Sequence, residues 1–327
     1  MLNKNARKIL RTIDVLIILV AVAVASTVRI SYSLYSPGGY EQKIAFFKPV
    51  IDKMLKKGAD SSFIYSLISD SKTKFSERYV KINVTGYLKK VDYSNNYNAF
   101  SIRKCREFIR KNFDILDKCE KEHGVPKEVI TSVLWVETKH GSYLGDNHLP
   151  SVYLSTAMCD QPEFIELNKK ELHDTYTGDT SELQELEKKI AERAKRKSNW
   201  AINELVYLGK INKAATIPVL NLSGSWAGAF GLSQFLPSSY YNWAVDGNGD
   251  GVIDLFNIED AIYSVANYLK KNGWSDTYES WKKAIHHYNN SDDYVNAVLK
   301  LAGKLEISSI KTAGMGADDK NSLQNQK

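Results

Sequence analysis

One carboxylate stands out because of the helix face on which it lies. A helix is predicted to begin at Pro126, and Glu137 lies near its end, seven, four and three residues after apolar positions. Those positions are Ile130, Val133 and Leu134, in a helix whose apolar residues also include Val129. Burial among apolar groups raises the pKa of a carboxyl, which suits a general acid working near neutral pH. The alternative is a glutamate that bends out to solvent or pairs with Lys139 or His140.

A glycine-rich segment, residues 224–240, carries groups suited to a neutral polar ligand. Gly224, Gly228 and Gly231 permit a tight backbone path that can approach a ligand closely. Neutral hydrogen-bonding and flat aromatic side chains lie between and after them: Ser225, Trp226, Phe230, Gln234 and Phe235. This combination suits a sugar. A purely structural glycine-rich turn is the alternative.

Further aromatic and amide side chains lie on the predicted helices that follow. They are Tyr268, Tyr288, Asn289 and Tyr294. Tyrosine can stack on a pyranose ring and hydrogen-bond through its hydroxyl, although a single tyrosine is more often a core or surface residue.

An acidic loop, residues 246–260, has the donor spacing of a site for a hard cation. The oxygen donors would be Asp246, Asn248, Asp250, the Val252 carbonyl and Asp254. Gly251 permits the sharp turn, and the twelfth position is Asn257, which cannot supply a bidentate carboxylate. A longer loop closed by Asp260 is one interpretation, and an Asp/Gly turn that binds nothing is the other.

Helical patterns dominate the elements that must position these residues. Apolar periodicity, glycine stops and capping residues predict one helix over Ser101–Glu122 that ends at Gly124, and another over Ile258–Asn272. The remaining helical segments are Gln42–Ser69, broken at Lys57–Gly58, the highly charged Lys169–Asn199, and Glu279–Leu301, broken near Asn289–Ser291. Residues 80–97 are rich in β-branched and aromatic side chains and are expected to be extended.

The N-terminus has the composition of a targeting segment. Lys4, Arg7, Lys8 and Arg11 precede the apolar run Val15–Ala25, which ends in a small-residue pattern typical of a cleavage site. An uncleaved anchor reaching Ile30 is the alternative. We therefore expect a signal peptide or anchor over residues 1–30, a helical and extended segment over 31–100, a catalytic domain over 101–305, and a disordered tail over 306–327.

Composition limits the function classes. The formal net charge is only +6, and no basic run is interleaved with aromatic residues, so nucleic-acid binding is not expected. The three cysteines contain no C-x-x-C pair, which argues against a zinc site and favours small buried side chains.

The ordered blocks of this sequence resemble those of the lytic murein transglycosylase B family. The blocks are Gly124-Val-Pro, Val136-Glu137-Thr138 with Gly141, the segment from Gly224 to Tyr240, the acidic loop, residues 260–268 with Gly273-Trp274, and Tyr288-Asn289. The resemblance implies a mainly α (α+β) fold: a lysozyme-like core with an EF-hand-like cation loop and a helical N-terminal part. It also implies a fifteen-residue cation loop closed at Asp260.

By this resemblance, Glu137 is the sole acid/base in cleavage of peptidoglycan glycan strands to 1,6-anhydromuramyl ends. Ser225, Gln234, Phe235, Tyr268, Tyr288, Asn289 and Tyr294 fall on positions that line the glycan cleft. Calcium would be structural, and no catalytic cofactor is implied. We expect a monomer acting outside the cytoplasm, in the periplasm, that meets a membrane only through an uncleaved N-terminal segment.

Two rival functions remain at this stage. An ordinary glycoside hydrolase needs a second carboxylate roughly 5–9.5 Å from the first, and Asp146 and Glu163 are the candidates. A non-catalytic wall-binding protein would instead use the charged segment and the tail. Trp226, Leu232-Ser233 and the charged segment depart from the family pattern, which bears on substrate reach more than on chemistry.

Overall fold

Helices account for almost all of the regular structure. The computed structural model describes residues 39–86, 91–214 and 216–305. Its helices are α1 (Tyr40–Lys56), α2 (Ser61–Ser69), α3 (Glu77–Thr85), α4 (Ala99–Lys111), α5 (Phe113–His123), α6 (Lys127–Thr138), α7 (Leu149–Ala157), α8 (Pro162–Thr175), α9 (Thr180–Ala214), α10 (Pro237–Trp243), α11 (Ile258–Lys271), α12 (Tyr278–Tyr288) and α13 (Asp292–Lys304). The prediction of a mainly helical fold is confirmed. The predicted signal segment and tail lie outside the described residues.

The N-terminal helices follow the predicted break but not the predicted extended segment. Gly58 adopts a left-handed backbone with φ 74°, and the Asp60 side chain caps α2 by accepting the Phe63 amide at 3.0 Å. The expectation of extended chain is wrong for α3, where Val80 and Val84 are fully buried. Their spacing of four residues places both on one helix face, and packing of that face outweighs the β propensity of valine.

Helix α6 lies at the centre of the domain and carries the candidate acid. Nine of its twelve residues are buried, and α4, α5, α11 and α13 pack around it. The single helix predicted before it is wrong, because the chain breaks at Asn112 into α4 and α5. The Asn112 amide donates to the Phe108 carbonyl at 2.9 Å, which satisfies a helix-end acceptor. Helix α5 ends at Gly124 with φ 69°, as predicted.

The charged segment forms parts of two packed helices, α8 and α9. The first turns of α9 are mostly exposed, but from Ile190 onward one face is buried against α7, α8 and α10. Ser198 on that face donates to the Ala157 carbonyl at 2.6 Å. The predicted solvated helix is therefore correct for one face only.

A short pair of antiparallel strands joins the glycine-rich segment to the chain that follows α6. Strand β1 (Asn147–His148) pairs with β2 (Ser223–Gly224), with Asn147 opposite Gly224. This pairing places the glycine-rich segment beside the chain that leaves α6.

Cys105, Cys119 and Cys159 are buried and form no disulfide, as predicted. No helix in the described ranges has both the length and the apolar character needed to cross a membrane.

Candidate active site

Glu137 lies in the last turn of α6, on the apolar face predicted from the sequence. Its neighbours on that face, including Val133 and Leu134, are fully buried, while Glu137 keeps partial contact with solvent. Burial raises the pKa of Glu137 to about 7, against the opposing effects of a hydrogen bond from Tyr294 and the positive charge of Lys139. The Tyr294 hydroxyl donates to Oε1 of Glu137 at 2.6 Å. A carboxyl with this pKa holds or releases its proton near neutral pH.

The alternative pairings considered for Glu137 are wrong. Lys139 donates instead to the Asn96 side chain and, at 3.2 Å, to the Trp135 carbonyl. His140 hydrogen-bonds the Thr131 carbonyl at 3.1 Å and stacks on a phenylalanine ring. Both side chains thus have other hydrogen-bond partners, and the direct partner of the carboxyl is the Tyr294 hydroxyl.

A layer of tyrosines encloses the carboxyl. Tyr288 stacks on Tyr294 with ring centroids 6.4 Å apart, and its hydroxyl donates to the Ser233 carbonyl at 2.5 Å. Tyr268 lies edge-on to Tyr288 at 4.8 Å and donates to the His287 carbonyl at 2.8 Å. Burial raises the pKa of Tyr288 and Tyr294 well above the usual value, so both remain protonated hydrogen-bond donors.

Sequence reasoning missed Tyr93, which belongs to the same cluster. Its ring meets Tyr294 edge-on at 5.8 Å, and Asn289 hydrogen-bonds its side chain. Burial and the nearby Glu137 raise the pKa of Tyr93. No motif or periodicity marked this residue, because it lies in a turn before the short 3₁₀ helix Ser94–Asn96. The structure thus brings Glu137, Tyr288, Asn289 and Tyr294 together with Tyr93.

A hydrogen bond joins the glycine-rich segment to the end of α6. The Thr138 hydroxyl donates to the Leu232 carbonyl at 2.9 Å. A Cβ at Gly224 would lie 2.1 Å from the Ala229 carbonyl oxygen, and one at Gly145 would lie 2.3 Å from the Gly224 carbonyl oxygen. Only glycine permits these approaches, so the glycines have a structural role whatever ligand the segment binds.

The three site residues predicted in this segment have different environments. Phe235 is 2% exposed and packs between Tyr268 and Tyr288, with ring centroids at 5.5 and 5.7 Å. Gln234 is partly exposed, has φ 49°, and donates to the Gly231 carbonyl at 3.0 Å. The Ser225 hydroxyl accepts the Ala229 amide at 3.1 Å. Phe235 is therefore buried against the rings of Tyr268 and Tyr288, whereas the Gln234 and Ser225 side chains remain partly exposed to solvent.

The acidic loop is organised by its own side chains. Asp246 accepts the Gly249 and Gly251 amides at 2.6 and 2.8 Å, and Asn248 accepts the Asp250 amide at 2.9 Å. Asp260 is 1% exposed and closes the loop by accepting three backbone amides, those of Gly247, Asn248 and Asp254.

The donors of this loop fit a hard cation by chemistry, since all are oxygens. Asp260 Oδ2 accepts a single amide, at 2.7 Å, so a carboxylate lone pair is left over. Across the described ranges, no three acidic, histidine or cysteine side chains are drawn together as a metal cluster. The cation site at Asp246, Asn248, Asp250, Val252, Asp254 and Asp260 stays a prediction.

Residues 46–283 match the family described as the transglycosylase SLT domain. The chain belongs to this transglycosylase family. It is 33% identical over 161 residues to membrane-bound lytic murein transglycosylase B of Escherichia coli strain K12, a match that covers 49% of this chain and 35% of that protein. The match thus spans about a third of the length of this curated relative.

Solved structures share the fold of this SLT domain. The Escherichia coli lytic transglycosylase SLT35 in complex with calcium superimposes with a TM-score of 0.58 at 22% identity, covering 81% of this chain and 93% of that chain. SltB3 from Pseudomonas aeruginosa in complex with NAG-NAM-pentapeptide gives 0.59 at 19% identity, covering 86% and 83%. The predicted family and lysozyme-like fold class are confirmed.

The SLT match includes Glu137, the glycine-rich segment and the acidic loop but ends before Tyr288. The rival carboxylates Asp146 and Glu163 are both exposed, and neither is among the main influences on the pKa of Glu137. The groups that act on the Glu137 carboxyl besides burial are the Tyr294 hydroxyl and the Lys139 ammonium.

Proposed function

We propose that this protein is a peptidoglycan lytic transglycosylase in which Glu137 is the single acid/base. The observation that carries the proposal is the Glu137 carboxyl, with a pKa raised to about 7, hydrogen-bonded by Tyr294 at 2.6 Å and facing no second carboxylate among its main partners. A single carboxylate near neutrality can give a proton in one step and take one in the next. A hydrolase usually places a second carboxylate across the bond.

The reaction proceeds in two proton transfers through the same residue. Glu137 donates its proton to the glycosidic oxygen as the bond from that oxygen to C1 of the muramyl residue breaks, and the N-acetylglucosamine chain leaves as an alcohol. The Glu137 carboxylate then accepts the proton of the muramyl 6-hydroxyl while O6 bonds to C1. The product is a 1,6-anhydro end, and Glu137 regains its proton.

Tyr294 favours the ionised form of Glu137, which exists between the two proton transfers. Its buried hydroxyl remains protonated and donates to Glu137, so it stabilises the carboxylate that exists between the two transfers. Tyr288, Asn289 and Gln234 line the glycan cleft with hydrogen-bonding groups, together with Ser225. Tyr268 and Phe235 support these groups by ring packing.

Calcium is proposed as a structural ion of the acidic loop. Asp246, Asn248, Asp250, Asp254, Asp260 and the Val252 carbonyl would hold it. The loop lies between the glycine-rich segment and α11, which carries Tyr268, so a bound cation would stiffen the connection between two walls of the cleft without meeting the scissile bond. The relative SLT35 was solved as a calcium complex.

The proposed partner is the glycan strand of peptidoglycan, met outside the cytoplasm by a monomeric enzyme. This location follows from the substrate, which lies beyond the membrane, and from the signal-like composition of residues 1–30. Nucleic acid is not a proposed partner.

Digestion of purified peptidoglycan tests the function. The expected products are 1,6-anhydromuramyl ends, identified by mass spectrometry, and none should form with Glu137→Gln, which keeps the shape of the side chain but cannot act as the acid. Reducing ends would identify a hydrolase. Wall binding without cleavage by the unmodified protein would identify a binding protein and overturn the proposal.

A further inference from the structure

Helix α4 presents a strongly basic face to solvent. At about 100° per residue, its inward arc carries the buried and partly buried side chains, and its outward arc carries seven others. These seven residues, called the basic face below, are Phe100, Arg103, Lys104, Arg106, Glu107, Arg110 and Lys111. Five of them are basic and one is acidic, so the basic face has a net charge of +4, against +6 for the whole chain.

Few acidic side chains balance these charges. Glu107, the single acid of α4, pairs with Lys104 at 2.9 Å. The exposed part of α9 differs, because its basic side chains pair with glutamates one turn away, as Lys188 does with Glu185 at 2.8 Å. Beyond the break at Asn112, α5 carries acids as well as lysines, so the excess of positive charge ends with α4. Such an excess on one face attracts an anionic partner.

The end of α13 extends the basic face. The Arg106 guanidinium donates to the Lys304 carbonyl at 3.3 Å, which places the last turn of α13 beside α4. The ammonium groups of Lys300 and Lys304 lie 5.4 and 5.5 Å from the centroid of the Tyr97 ring. Two lysines from a distant part of the chain thus widen the positive surface beyond one helix. A surface of this width suits an extended anionic layer better than a single small anion.

An exposed aromatic side chain lies within the basic face. Phe100 is 52% exposed. Two contacts already occupy its ring, since the Arg103 guanidinium carbon lies 5.4 Å from its centroid and the Trp135 ring packs against it at 6.3 Å. An occupied ring offers little area for stacking on a nucleotide base, whereas its exposed part can enter the interfacial layer of a lipid bilayer. The combination of arginine, lysine and phenylalanine therefore favours a lipid surface over a nucleic acid.

The basic face and the candidate acid lie on different sides of α6. Trp135, which contacts Phe100 of α4, and Glu137 are two residues apart on α6. Their side chains therefore project about 200° apart around that helix. A surface bound at α4 would leave the acid open to a substrate on the other side.

We propose that the basic face of α4 docks on a membrane surface that contains anionic phospholipids. The arginine and lysine side chains meet the phosphate head groups, and Phe100 enters the layer between head groups and acyl chains. This contact is peripheral and reversible, and it is separate from any insertion of residues 1–30. The inference does not depend on the reaction at Glu137.

A dye on the basic face reports the contact directly. Lys104→Cys places a thiol there for an environment-sensitive dye, and the three native cysteines are buried, so labelling is selective. The full-length labelled protein is titrated with vesicles of phosphatidylcholine alone, or with about one third phosphatidylglycerol. Anionic vesicles should move the dye emission to shorter wavelength, and neutral vesicles should not. The same dye on Ser181→Cys, exposed on α9, should not respond to either.

Removal of charge from the basic face should weaken this binding. The test variant adds three substitutions to the labelled protein: Arg103→Gln, Arg110→Gln and Lys111→Gln. The matched control makes the same charge change on the exposed part of α9: Lys188→Gln, Lys189→Gln and Lys195→Gln. Each basic side chain near an anionic surface contributes about fivefold, so the test variant should bind anionic vesicles roughly ten- to hundredfold more weakly. The control should stay within about twofold of the labelled parent.

The basic N-terminal residues are the same in all these proteins, so they do not account for a difference between them. A dye at position 104 that anionic vesicles do not shift would overturn the membrane site. Equal affinity of the test and control variants would overturn it as well. If circular dichroism shows that the test variant does not fold, Arg110→Gln alone should still weaken binding about fivefold, and unchanged binding by that variant overturns the proposal.

Soluble polyphosphate and Phe100→Ser separate a lipid surface from a soluble polyanion. Phe100→Ser leaves the charge unchanged and should weaken binding to anionic vesicles about threefold, because it removes the side chain that enters the bilayer. Polyphosphate at the same phosphate concentration should not displace the vesicles. Displacement by polyphosphate, together with unchanged binding by Phe100→Ser, would assign the basic face to a soluble polyanion and overturn the membrane site.

Discussion

Replacing Glu137 with Gln is expected to stabilise the fold, and only above a defined pH. The pKa of Glu137 is raised from 4.5 to about 7 by burial, so the folded protein holds this proton more tightly than the unfolded chain. Between these two values the unfolded chain loses its proton first, and the free energy of unfolding falls as pH rises. The reduction is complete above about pH 7 and absent below about pH 4.5.

The magnitude follows from the two pKa values. Their difference of about 2.5 corresponds to about 3.4 kcal/mol at 1.36 kcal/mol per pKa unit. Glu137 keeps some solvent contact, so we expect about 1–3 kcal/mol. The amide of Gln carries no charge at either pH and can still accept the Tyr294 hydroxyl. Glu137→Gln should therefore melt roughly 2–10 °C higher than the unmodified protein near pH 8.

Thermal unfolding at two pH values is the assay. The higher melting temperature of Glu137→Gln should be present near pH 8 and vanish near pH 4, where Glu137 of the unmodified protein is neutral in both the folded and the unfolded state. Glu163→Gln is the matched control, because Glu163 is exposed in the first turn of α8 and its replacement should give no pH-dependent gain. A Glu137→Gln protein with the same gain at both pH values, or none at pH 8, would show that burial does not raise the pKa of Glu137.

Three further predictions concern the donor, the cation loop and the cleft. Tyr294→Phe removes the hydrogen bond at 2.6 Å to Glu137, so the pH above which kcat/KM falls should move upward and kcat should fall about ten- to hundredfold; a pH–rate profile checks both. Calcium at a hundredfold excess over its Kd should stabilise the folded protein by about 2.7 kcal/mol and so raise the melting temperature, and Asp246→Ala should abolish that rise. A melting curve that calcium does not shift would mean that the loop is a turn that binds no cation. Gln234→Ala and Tyr288→Phe should lower kcat/KM about three- to hundredfold while anhydro ends remain the product by mass spectrometry; reducing ends would mean that these residues exclude water.

The position of the acid could be predicted because periodicity and local geometry agree. The spacing of Glu137 from Val133 and Leu134 fixes its face on any helix, and α6 is helical over that whole range. The end of helix α5 at Gly124 could also be predicted, because the left-handed backbone that ends a helix favours glycine. Such features depend on a few consecutive residues and do not require knowledge of the tertiary fold.

The missed features depend on contacts between distant segments. The break at Asn112 lies within a continuous apolar pattern, and the sequence alone does not distinguish one helix from two. Tyr93 joins the site through a turn tied to Lys139 and Asn289, from two other parts of the chain. Helix α3 formed where β-branched residues predicted extended chain, because its buried face decides its conformation.

The limits of the catalytic unit follow from the same contacts. The family match ends at residue 283, yet the hydroxyl that hydrogen-bonds Glu137 comes from Tyr294 on α13. Helix α13 also packs directly on α6, with Tyr294, Val295 and Val298 buried. The proposed acid on α6 therefore depends on α13 for its hydrogen-bond partner, and the proposed functional unit extends beyond the family match at least to Tyr294.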